Sequence, residues 1–308
     1  MHGDIEIFEC LSQSDCEDFW KLLREYFLRD MFPGDENCYH CSDEYRRDVE
    51  RMHSRNTDPM RYLFFRREGK VVGLALAIIF AGDDGRQFIL EFCVLPEYRG
   101  GGMGTACACA LMDWGRERGA KYFELNCEDE PARRFWARLG FIPNGVDSAN
   151  MPLMILPPEE DAPISVGLAN GIEEFWALEL SFFSETGETP PDSMGRSRMI
   201  GAMSAGRVAF ITAKRLGRPV GLCSVSRCFS SRTCWDAGVF DDFYIEPAFR
   251  HKGVARLLVE KACEYCRRQG MQSLSVKVSD ADLEMYRALG FTNELGKNFS
   301  RPLPYETK

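Results

Sequence analysis

Two glycine-rich segments have the residue types and spacing to bind a phosphate-bearing ligand. Residues 99–104 read Arg-Gly-Gly-Gly-Met-Gly, and residues 250–255 read Arg-His-Lys-Gly-Val-Ala. Each segment follows an apolar run that ends in a proline, and each precedes an amphipathic stretch. A glycine turn at the start of a helix lets backbone N–H groups converge, and the helix dipole adds positive character there. Both segments therefore predict a site for a diphosphate.

Neither segment matches the commonest nucleotide-binding motifs. A dinucleotide fingerprint requires a third glycine, but its position is taken by Thr105 or Cys107, depending on the frame. A P-loop requires Gly-Lys followed by Ser or Thr, and neither segment has that sequence. The pattern that both segments share is Arg-x-x-Gly-x-Gly/Ala.

These two segments belong to a longer internal repeat. Four short sequences recur in the same order, with offsets between 148 (69 to 217) and 156 (17 to 173). Collinear matches of this kind predict two copies of one unit of about 150 residues. The four recurring sequences are residues 17–20 with 173–176, 69–74 with 217–222, 96–99 with 247–250, and 139–141 with 289–291.

The hydrophobic periodicity predicts a mixed α/β sheet in each copy, with antiparallel strands first and a β-α-β crossover after them. The predicted domains are residues 1–156 and 164–308, with a proline-rich charged linker at 157–163. In the first copy, strands are predicted at 5–8, 62–65, 71–80, 88–95, 122–127 and 151–156, and helices at 16–29, 105–118 and 131–139. In the second copy, strands are predicted at 208–214, 220–225, 236–245 and 273–278, and helices at 255–268 and 282–289.

Composition limits the classes of partner. The chain has 308 residues, a formal net charge of −9 and a sequence pI of about 5.2. An acidic chain is poorly suited to nucleic acid, which is bound through clustered Lys and Arg. The charge is compatible with a cationic substrate.

The cysteines, the histidines and the N-terminus point to a cytoplasmic protein without metal. Thirteen cysteines are an odd number, and no apolar signal sequence precedes them, so we expect reduced thiols. Cys38 and Cys41 have metal-like spacing, but no second such pair follows, and we expect no metal. The longest apolar run, residues 71–81, is too short to span a bilayer, so no membrane association is expected.

The shared Arg-x-x-Gly-x-Gly/Ala pattern, with Leu-Gly-Phe about 37 residues beyond it, resembles the GNAT superfamily of acyl-CoA-dependent N-acyltransferases. The resemblance covers both copies and predicts two tandem GNAT domains. The layout is similar to that of mycothiol synthase, a tandem enzyme of this family. The resemblance implies acetyl-CoA as the co-substrate and a small-molecule amine as the acceptor. A monomer or a homodimer is expected.

The resemblance also implies which residues contact acetyl-CoA. Backbone groups of Cys93 and Val94, and of Tyr244 and Ile245, would hold the pantetheine and the acyl carbonyl at the splayed end of the fourth strand. The loops would wrap the diphosphate. The implied loop residues are Arg99, Gly100, Gly101, Gly102, Met103, Gly104 and Thr105 in the first copy, and Arg250, His251, Lys252, Gly253, Val254, Ala255 and Arg256 in the second.

A tyrosine that protonates the departing CoA thiolate is common in the family, five residues before the Phe of Leu-Gly-Phe. That position is Tyr286 in the second copy but Trp136 in the first, and an indole N–H cannot supply a proton. The resemblance therefore favours catalysis by the second copy, although the opposite division remains open. Asp129 and Ser279 stand where many members carry an Asn that touches CoA, which places that contact in doubt.

The attacking amine must be neutral, so a carboxylate has to accept a proton. The candidates are Glu91 and Asp242, each five residues before the proline at the end of the fourth strand. Asp241 lies next to Asp242, and strand alternation allows only one of them to face the cleft. The alternative for each carboxylate is a strand-edge charge that faces solvent.

Together these features predict an acetyl-CoA-dependent N-acetyltransferase that acts on a primary amine of a small molecule. Two alternatives remain: an acyl-CoA-binding module without turnover, and an acetyltransferase that modifies proteins or peptides. The acceptor pocket is expected in the variable segments 30–43 and 185–197.

Overall fold

The computed structural model describes residues 5–147, 149–158, 162–231 and 233–296. The chain divides into two compact units after Pro163, and residues 216–218 group with the first unit. The predicted linker, 157–163, includes residues 159–161, which lie outside the described residues.

The first unit is a seven-stranded mixed sheet in the order β1-β2-β3-β4-β5-β7-β6. All neighbouring strands are antiparallel except β4 and β5, which are parallel and are joined by a helical crossover. The strands are β1 (Glu6–Glu9), β2 (Arg61–Arg67), β3 (Lys70–Phe80), β4 (Arg86–Val94), β5 (Tyr122–Asn126), β6 (Ile142–Val146) and β7 (Pro152–Leu156). The helices are α1 (Gln13–Tyr26), α2 (Asp43–His53), α3 (Met103–Arg116) and α4 (Glu130–Arg138).

Two apolar cores cover the faces of this sheet, because successive strand residues point to opposite sides. One core packs α1 and α2 against the sheet through aromatic side chains, among them Phe19, Trp20 and Tyr62. The other packs α3 and α4 through residues that include Leu111, Phe123 and Trp136. Helices α1 and α2 therefore meet the sheet from one face, and helices α3 and α4 from the other.

The second unit repeats this plan with five described strands, in the order β12-β11-β10-β9-β8. As β4 and β5 do in the first unit, β11 and β12 pair in parallel here. The strands are β8 (Ser165–Leu168), β9 (Val208–Arg215), β10 (Arg218–Ser230), β11 (Trp235–Ile245) and β12 (Leu274–Val276). The helices are α5 (Trp176–Thr186), α6 (Ser193–Ser204), α7 (Val254–Arg268) and α8 (Leu283–Ala288).

The predicted mixed α/β sheet is confirmed, while several element boundaries were wrong. Strand β6 was missed, because its sequence contains Pro143 and Gly145, which are typical of turns. Helix α1 begins at Gln13, three residues before the predicted start, since Ser12 and Asp15 form a capping box. Its last turn widens into a π-helix, Phe27–Met31. The segment 185–197 was treated as a loop, but its ends lie in α5 and α6.

Gly73 permits β3 to approach the end of β4. A Cβ on Gly73 would lie 2.4 Å from the carbonyl oxygen of Cys93. We expect Gly73→Ala to lower the free energy of unfolding by about 1–3 kcal/mol, because backbone must move to accommodate the methyl group. Urea unfolding of the full chain measures the change. Gly82→Ala is the matched control, since its added Cβ meets nothing within 4 Å, and equal destabilisation by both variants would contradict the account.

Candidate active site

In each unit the two parallel strands part before their ends. Strand β4 pairs with β5 only from Arg86 to Phe88, although β4 continues to Val94 beside β3. Strand β11 pairs with β12 only from Gly238 to Phe240 and continues to Ile245 beside β10. The last residues of β4 and β11 thus have one strand neighbour instead of two. Their backbone groups on the open side are available to an extended ligand.

A bulge accompanies the parting of the strands in both units. In the first, Leu90 is the extra residue, since Ile89 pairs with Ala77 and Glu91 with Leu76. In the second, the bulge lies between Asp241 and Tyr244, and Asp242 has a left-handed backbone with φ of 47°. Bulges re-aim side chains and are over-represented next to active sites.

A cavity of about 600 Å³ opens at the parted strands of the first unit. Its lining combines the end of β4, the glycine loop, and residues from α1 and α4. The lining residues are Tyr26, Asp30, Phe92, Cys93, Val94, Arg99, Gly100, Gly102, Met103, Gly104, Thr105, Ala132, Phe135, Trp136 and Arg138. The structure thus places Cys93, Val94 and six of the seven residues predicted for the first loop around one cavity; Gly101 lies between them in sequence.

The first glycine loop has an open concave backbone. Gly100, Gly101 and Gly102 all have positive φ, of 90°, 55° and 84°, and a Cβ added to any of them would meet nothing within 4 Å. Gly102 is the N-cap residue of α3. Among the described residues, no side chain hydrogen-bonds to this cap, so the first-turn N–H groups are not covered by one. Such a cradle fits the diphosphate of CoA.

The second loop shares the positive φ of the first loop at its first and third positions and has bulkier side chains at its first and second. His251 has φ of 60°, where the first copy has Gly100, and Gly253 is the N-cap residue of α7 with φ of 83°. The side chain of Lys252 lies over the ring of Phe249, with Nζ 5.4 Å from the ring centroid. Val254 is buried as the first residue of α7, and Ala255 and Arg256 follow it in the first turn.

The motif arginine makes the same contacts in both copies. Arg99 Nε donates to the Val94 carbonyl at 2.9 Å, and its Nη atoms bond the carboxylate of Asp30. Arg250 Nε donates to the Ile245 carbonyl at 2.9 Å, and Nη2 donates to Glu185 at 2.5 Å. Each arginine therefore joins the strand end, the loop and the first helix. Its guanidinium is already hydrogen-bonded to a backbone carbonyl and a carboxylate.

The sequence analysis placed Asp30 and Glu185 in the segments expected to form the acceptor pocket, but it did not predict that they pair with the motif arginines. Partial burial alone would raise the pKa of Asp30, but hydrogen bonds from Arg99 and Arg29 bring that pKa below its ordinary value. A signal was present in the sequence, because both carboxylates fall near the end of the first helix of their copy. The two positions differ by 155 residues, close to the repeat offset.

Glu91 is buried and does not face solvent. It is 7% exposed, and Tyr45 Oη on α2 donates to Glu91 Oε1 at 3.1 Å. Burial raises the pKa of Glu91 to about 8, against the opposing effect of the hydrogen bond from Tyr45. Tyr45 is a second contact that sequence reasoning missed, because nothing in the sequence fixes how α2 docks on the sheet.

Asp242 is half-buried, whereas Asp241 is exposed. Ser224 Oγ on β10 donates to Asp242 Oδ2 at 2.5 Å. Burial, with the nearby charges of Asp241 and Glu188, raises the pKa of Asp242, although the Ser224 hydrogen bond lowers it. A carboxylate with a raised pKa is better suited to accept a proton.

Tyr286 and Trp136 occupy equivalent positions. The Tyr286 ring lies 6.0 Å from Phe243 and 5.8 Å from Phe291, measured between centroids. The Trp136 ring lies 5.1 Å from both Phe92 and Phe141. Burial raises the pKa of Tyr286 to about 12, so its hydroxyl remains a proton donor.

The other residues considered as CoA contacts are buried or have partners within the chain. Cys93 is buried, and burial raises the pKa of its thiol to about 11. Asp129 caps α4 by accepting from the Ala132 N–H at 2.9 Å. Ser279 Oγ donates to Asp282 at 2.5 Å. Tyr244 is buried beneath the guanidinium of Arg250, which lies 5.7 Å from the ring centroid.

Comparison with known families decides the identity of the fold. The acetyltransferase (GNAT) family model matches the chain twice, over residues 17–141 and 172–291. The chain belongs to the GNAT acetyltransferase family. The two matches confirm the predicted tandem GNAT fold and the prediction of an N-acetyltransferase. No curated protein sequence matches the chain significantly.

Solved GNAT structures resemble one unit of this chain at low sequence identity. Glucosamine-6-phosphate N-acetyltransferase from Arabidopsis thaliana is 16% identical, with a TM-score of 0.40, over 46% of this chain and 99% of that chain. An aminoglycoside acetyltransferase from an uncultured soil metagenomic sample, in complex with trehalose, is 15% identical, with a TM-score of 0.41, over 46% and 97%. A predicted acetyltransferase with acetyl-CoA from Clostridium acetobutylicum is 11% identical, with a TM-score of 0.38, over 45% and 96%.

Two further findings concern metals and membranes. Within the described parts of this GNAT chain, no three His, Cys, Asp or Glu side chains are grouped so that they could hold a metal ion. Across the same residues, no helix is both long and apolar enough to cross a membrane.

The Asp30–Arg99 pair should support CoA binding by the first unit. We expect Asp30→Asn to weaken CoA binding by about 1 kcal/mol, or roughly fivefold in the dissociation constant, because one charge-assisted contact to the motif arginine is weakened. Isothermal titration of the full chain with CoA measures this change. Asp18→Asn, at an exposed carboxylate on α1, is the matched control. Indistinguishable dissociation constants for the two variants would contradict the role assigned to Asp30.

Proposed function

We propose that this protein transfers the acetyl group of acetyl-CoA to a primary amine of a small molecule, and that the second unit performs the transfer. The observation that carries the proposal is the juxtaposition at the bulge of β11. Asp242 lies there beside Ser224, and Tyr286 packs on the next strand residue, Phe243. The second glycine-rich loop begins seven residues beyond Phe243, at Arg250.

Acetyl-CoA supplies the acetyl thioester, and the chain supplies the groups that hold it. The open edge of β11 at Tyr244 and Ile245 can bond the pantetheine amides, as an added strand would. The first-turn N–H groups of α7 favour the diphosphate through their own partial charge and the helix dipole. These roles require no side chain of the loop, which explains how His251 and Lys252 can replace glycines.

Asp242 is suited to accept the proton of the amine. An amine that carries its proton has no lone pair for attack, so a base beside the thioester promotes the reaction. Burial in the second unit raises the pKa of Asp242 toward that of a useful base, while Ser224 fixes the position of its carboxylate.

Tyr286 is suited to donate a proton to the sulfur that leaves. Its hydroxyl is held protonated by burial, and its ring is fixed between Phe243 and Phe291. Trp136 takes the equivalent place in the first unit, where it packs in the core. The proposed role of the first unit is to bind acetyl-CoA in the cavity at its loop.

The opposite division of labour has one observation in its favour. Glu91 is deeply buried, is hydrogen-bonded to Tyr45 and has a pKa raised to about 8 by burial, which suits a base as well. Under this second candidate the first unit would transfer the acetyl group without a tyrosine at position 136.

Removal of the Tyr286 hydroxyl provides a direct test. We expect Tyr286→Phe to lower kcat roughly 100-fold, the contribution typical of a general acid, with little change in CoA binding. Release of free CoA thiol in the presence of a panel of primary amines measures the rate. The matched control is Tyr265→Phe, which removes a half-buried hydroxyl from α7 in the same unit. Full activity of Tyr286→Phe would refute the assigned role.

A further inference from the structure

Tyr26 brings a hydroxyl group to the cavity of the first unit. It is the last residue of α1, it is half-buried, and it lines the cavity together with the end of β4. Within the parts of the chain that the structure describes, no group hydrogen-bonds to that hydroxyl. A polar group left unpaired at the wall of a cavity costs free energy until a ligand or water pairs with it.

The Tyr26 hydroxyl is a donor whose carboxylate neighbours are already occupied. Burial, followed by the charge of Glu91, raises the pKa of Tyr26, so the hydroxyl keeps its proton. Glu91 accepts from the hydroxyl of Tyr45, and Asp30 accepts from Arg99. Neither carboxylate bonds Tyr26, which leaves its O–H free for a ligand.

The second copy shows that the fold does not require this hydroxyl. Phe182 on α5 is equivalent to Tyr26, at the offset of 156, and it packs against an apolar core. At the other position considered above, the second copy has Tyr286 and the first has Trp136. The two copies therefore carry their tyrosine on different helices, the first helix in one copy and the last helix in the other.

Tyr26 lies beside the strand end and not beside the glycine loop alone. Among the neighbouring titratable groups, Glu91 and Cys93 raise its pKa most, and both are on β4. In the proposed binding mode the loop holds the diphosphate, and the backbone of Cys93 and Val94 holds the pantetheine and the acyl carbonyl. The hydroxyl thus lies near the thioester end of the ligand.

We propose that the Tyr26 hydroxyl donates a hydrogen bond to the thioester carbonyl oxygen of acetyl-CoA bound in the first unit, so that this unit selects acetyl-CoA over CoA. The inference rests on the proposed binding of acetyl-CoA by the first unit and specifies which form of the cofactor that unit retains.

The chemistry of the two ligands accounts for the selection. A carbonyl oxygen is a good hydrogen-bond acceptor, whereas the thiol sulfur of CoA is a weak one. A site that hydrogen-bonds one group of a ligand discriminates against the analogue that lacks the group, because its own polar atom is then left unpaired. CoA released by the second unit therefore competes poorly for the first.

Three ligands that differ only at the sulfur separate the carbonyl from the size of the acyl group. They are acetyl-CoA, CoA and S-ethyl-CoA, a thioether that has the length of acetyl-CoA without its carbonyl oxygen. Isothermal titration of the full chain, without any amine, measures their dissociation constants. All measurements use chains that carry Ala255→Glu, because a carboxylate in the first turn of α7 is compatible with the helix and repels the diphosphate from the second unit.

We expect the first unit to bind acetyl-CoA roughly fivefold more tightly than S-ethyl-CoA, the effect of one neutral hydrogen bond. Tyr26→Phe should remove most of this difference by weakening the binding of acetyl-CoA alone. Phe182 at the equivalent position indicates that phenylalanine fits there. Tyr62→Phe is the matched control, since it removes a hydroxyl from the same core at a residue that does not line the cavity.

The outcomes separate the inference from the proposed function. An unchanged ratio of dissociation constants in Tyr26→Phe, or equal weakening for all three ligands as from a structural defect, overturns the selection by Tyr26 and leaves the binding role intact. Binding of none of the three ligands refutes the binding role of the first unit together with the inference. Turnover is read separately, from release of CoA thiol by the wild type with primary amines. A wild type without turnover refutes the transfer, while the ratio still decides the selectivity of the first unit.

Discussion

The parting of two parallel strands is the constraint on which the rest of each unit depends. Once β4 leaves β5 at Phe88, and β11 leaves β12 at Phe240, backbone donors and acceptors at the strand ends lack a strand neighbour on one side. A strand end of this kind needs an extended ligand or water to pair with it. The bulges at Leu90 and Asp242 belong to the same feature, since they turn the strand away from its neighbour.

The motif arginine secures this arrangement by linking it to the loop and the first helix. Arg99 and Arg250 each bond a strand-end carbonyl five residues earlier and a carboxylate from the end of the first helix. The arginine thus organises the backbone that would hold the phosphates, while the phosphates are left to backbone N–H groups. This division is consistent with a second loop that keeps Gly253 yet carries His251 and Lys252.

The two copies share this framework and differ in the polar residues beside it. The first copy buries Glu91 and pairs its carboxylate with the hydroxyl of Tyr45. The second copy places Ser224 and Glu179 near Asp242 and carries Tyr286 where the first has Trp136.

Sequence alone predicted the repeat, the loops and the Tyr286–Trp136 difference, because each depends on local spacing. It could not reveal the burial of Glu179, which depends on how α5 docks on β11. The contacts from Asp30 and Tyr45 were missed for the same tertiary reason, and β6 was missed because Pro143 and Gly145 are unfavourable in strands.

The central claim is that the second unit transfers the acetyl group, and substitution of the two candidate bases tests it most directly. Asp242→Asn and Glu91→Gln each remove one base while they retain its shape, and kcat for acetyl transfer to an aliphatic amine is measured for both full-length variants. The account predicts a loss of roughly 100-fold for Asp242→Asn and a much smaller loss for Glu91→Gln. The reverse order would contradict it and would assign the chemistry to the first unit.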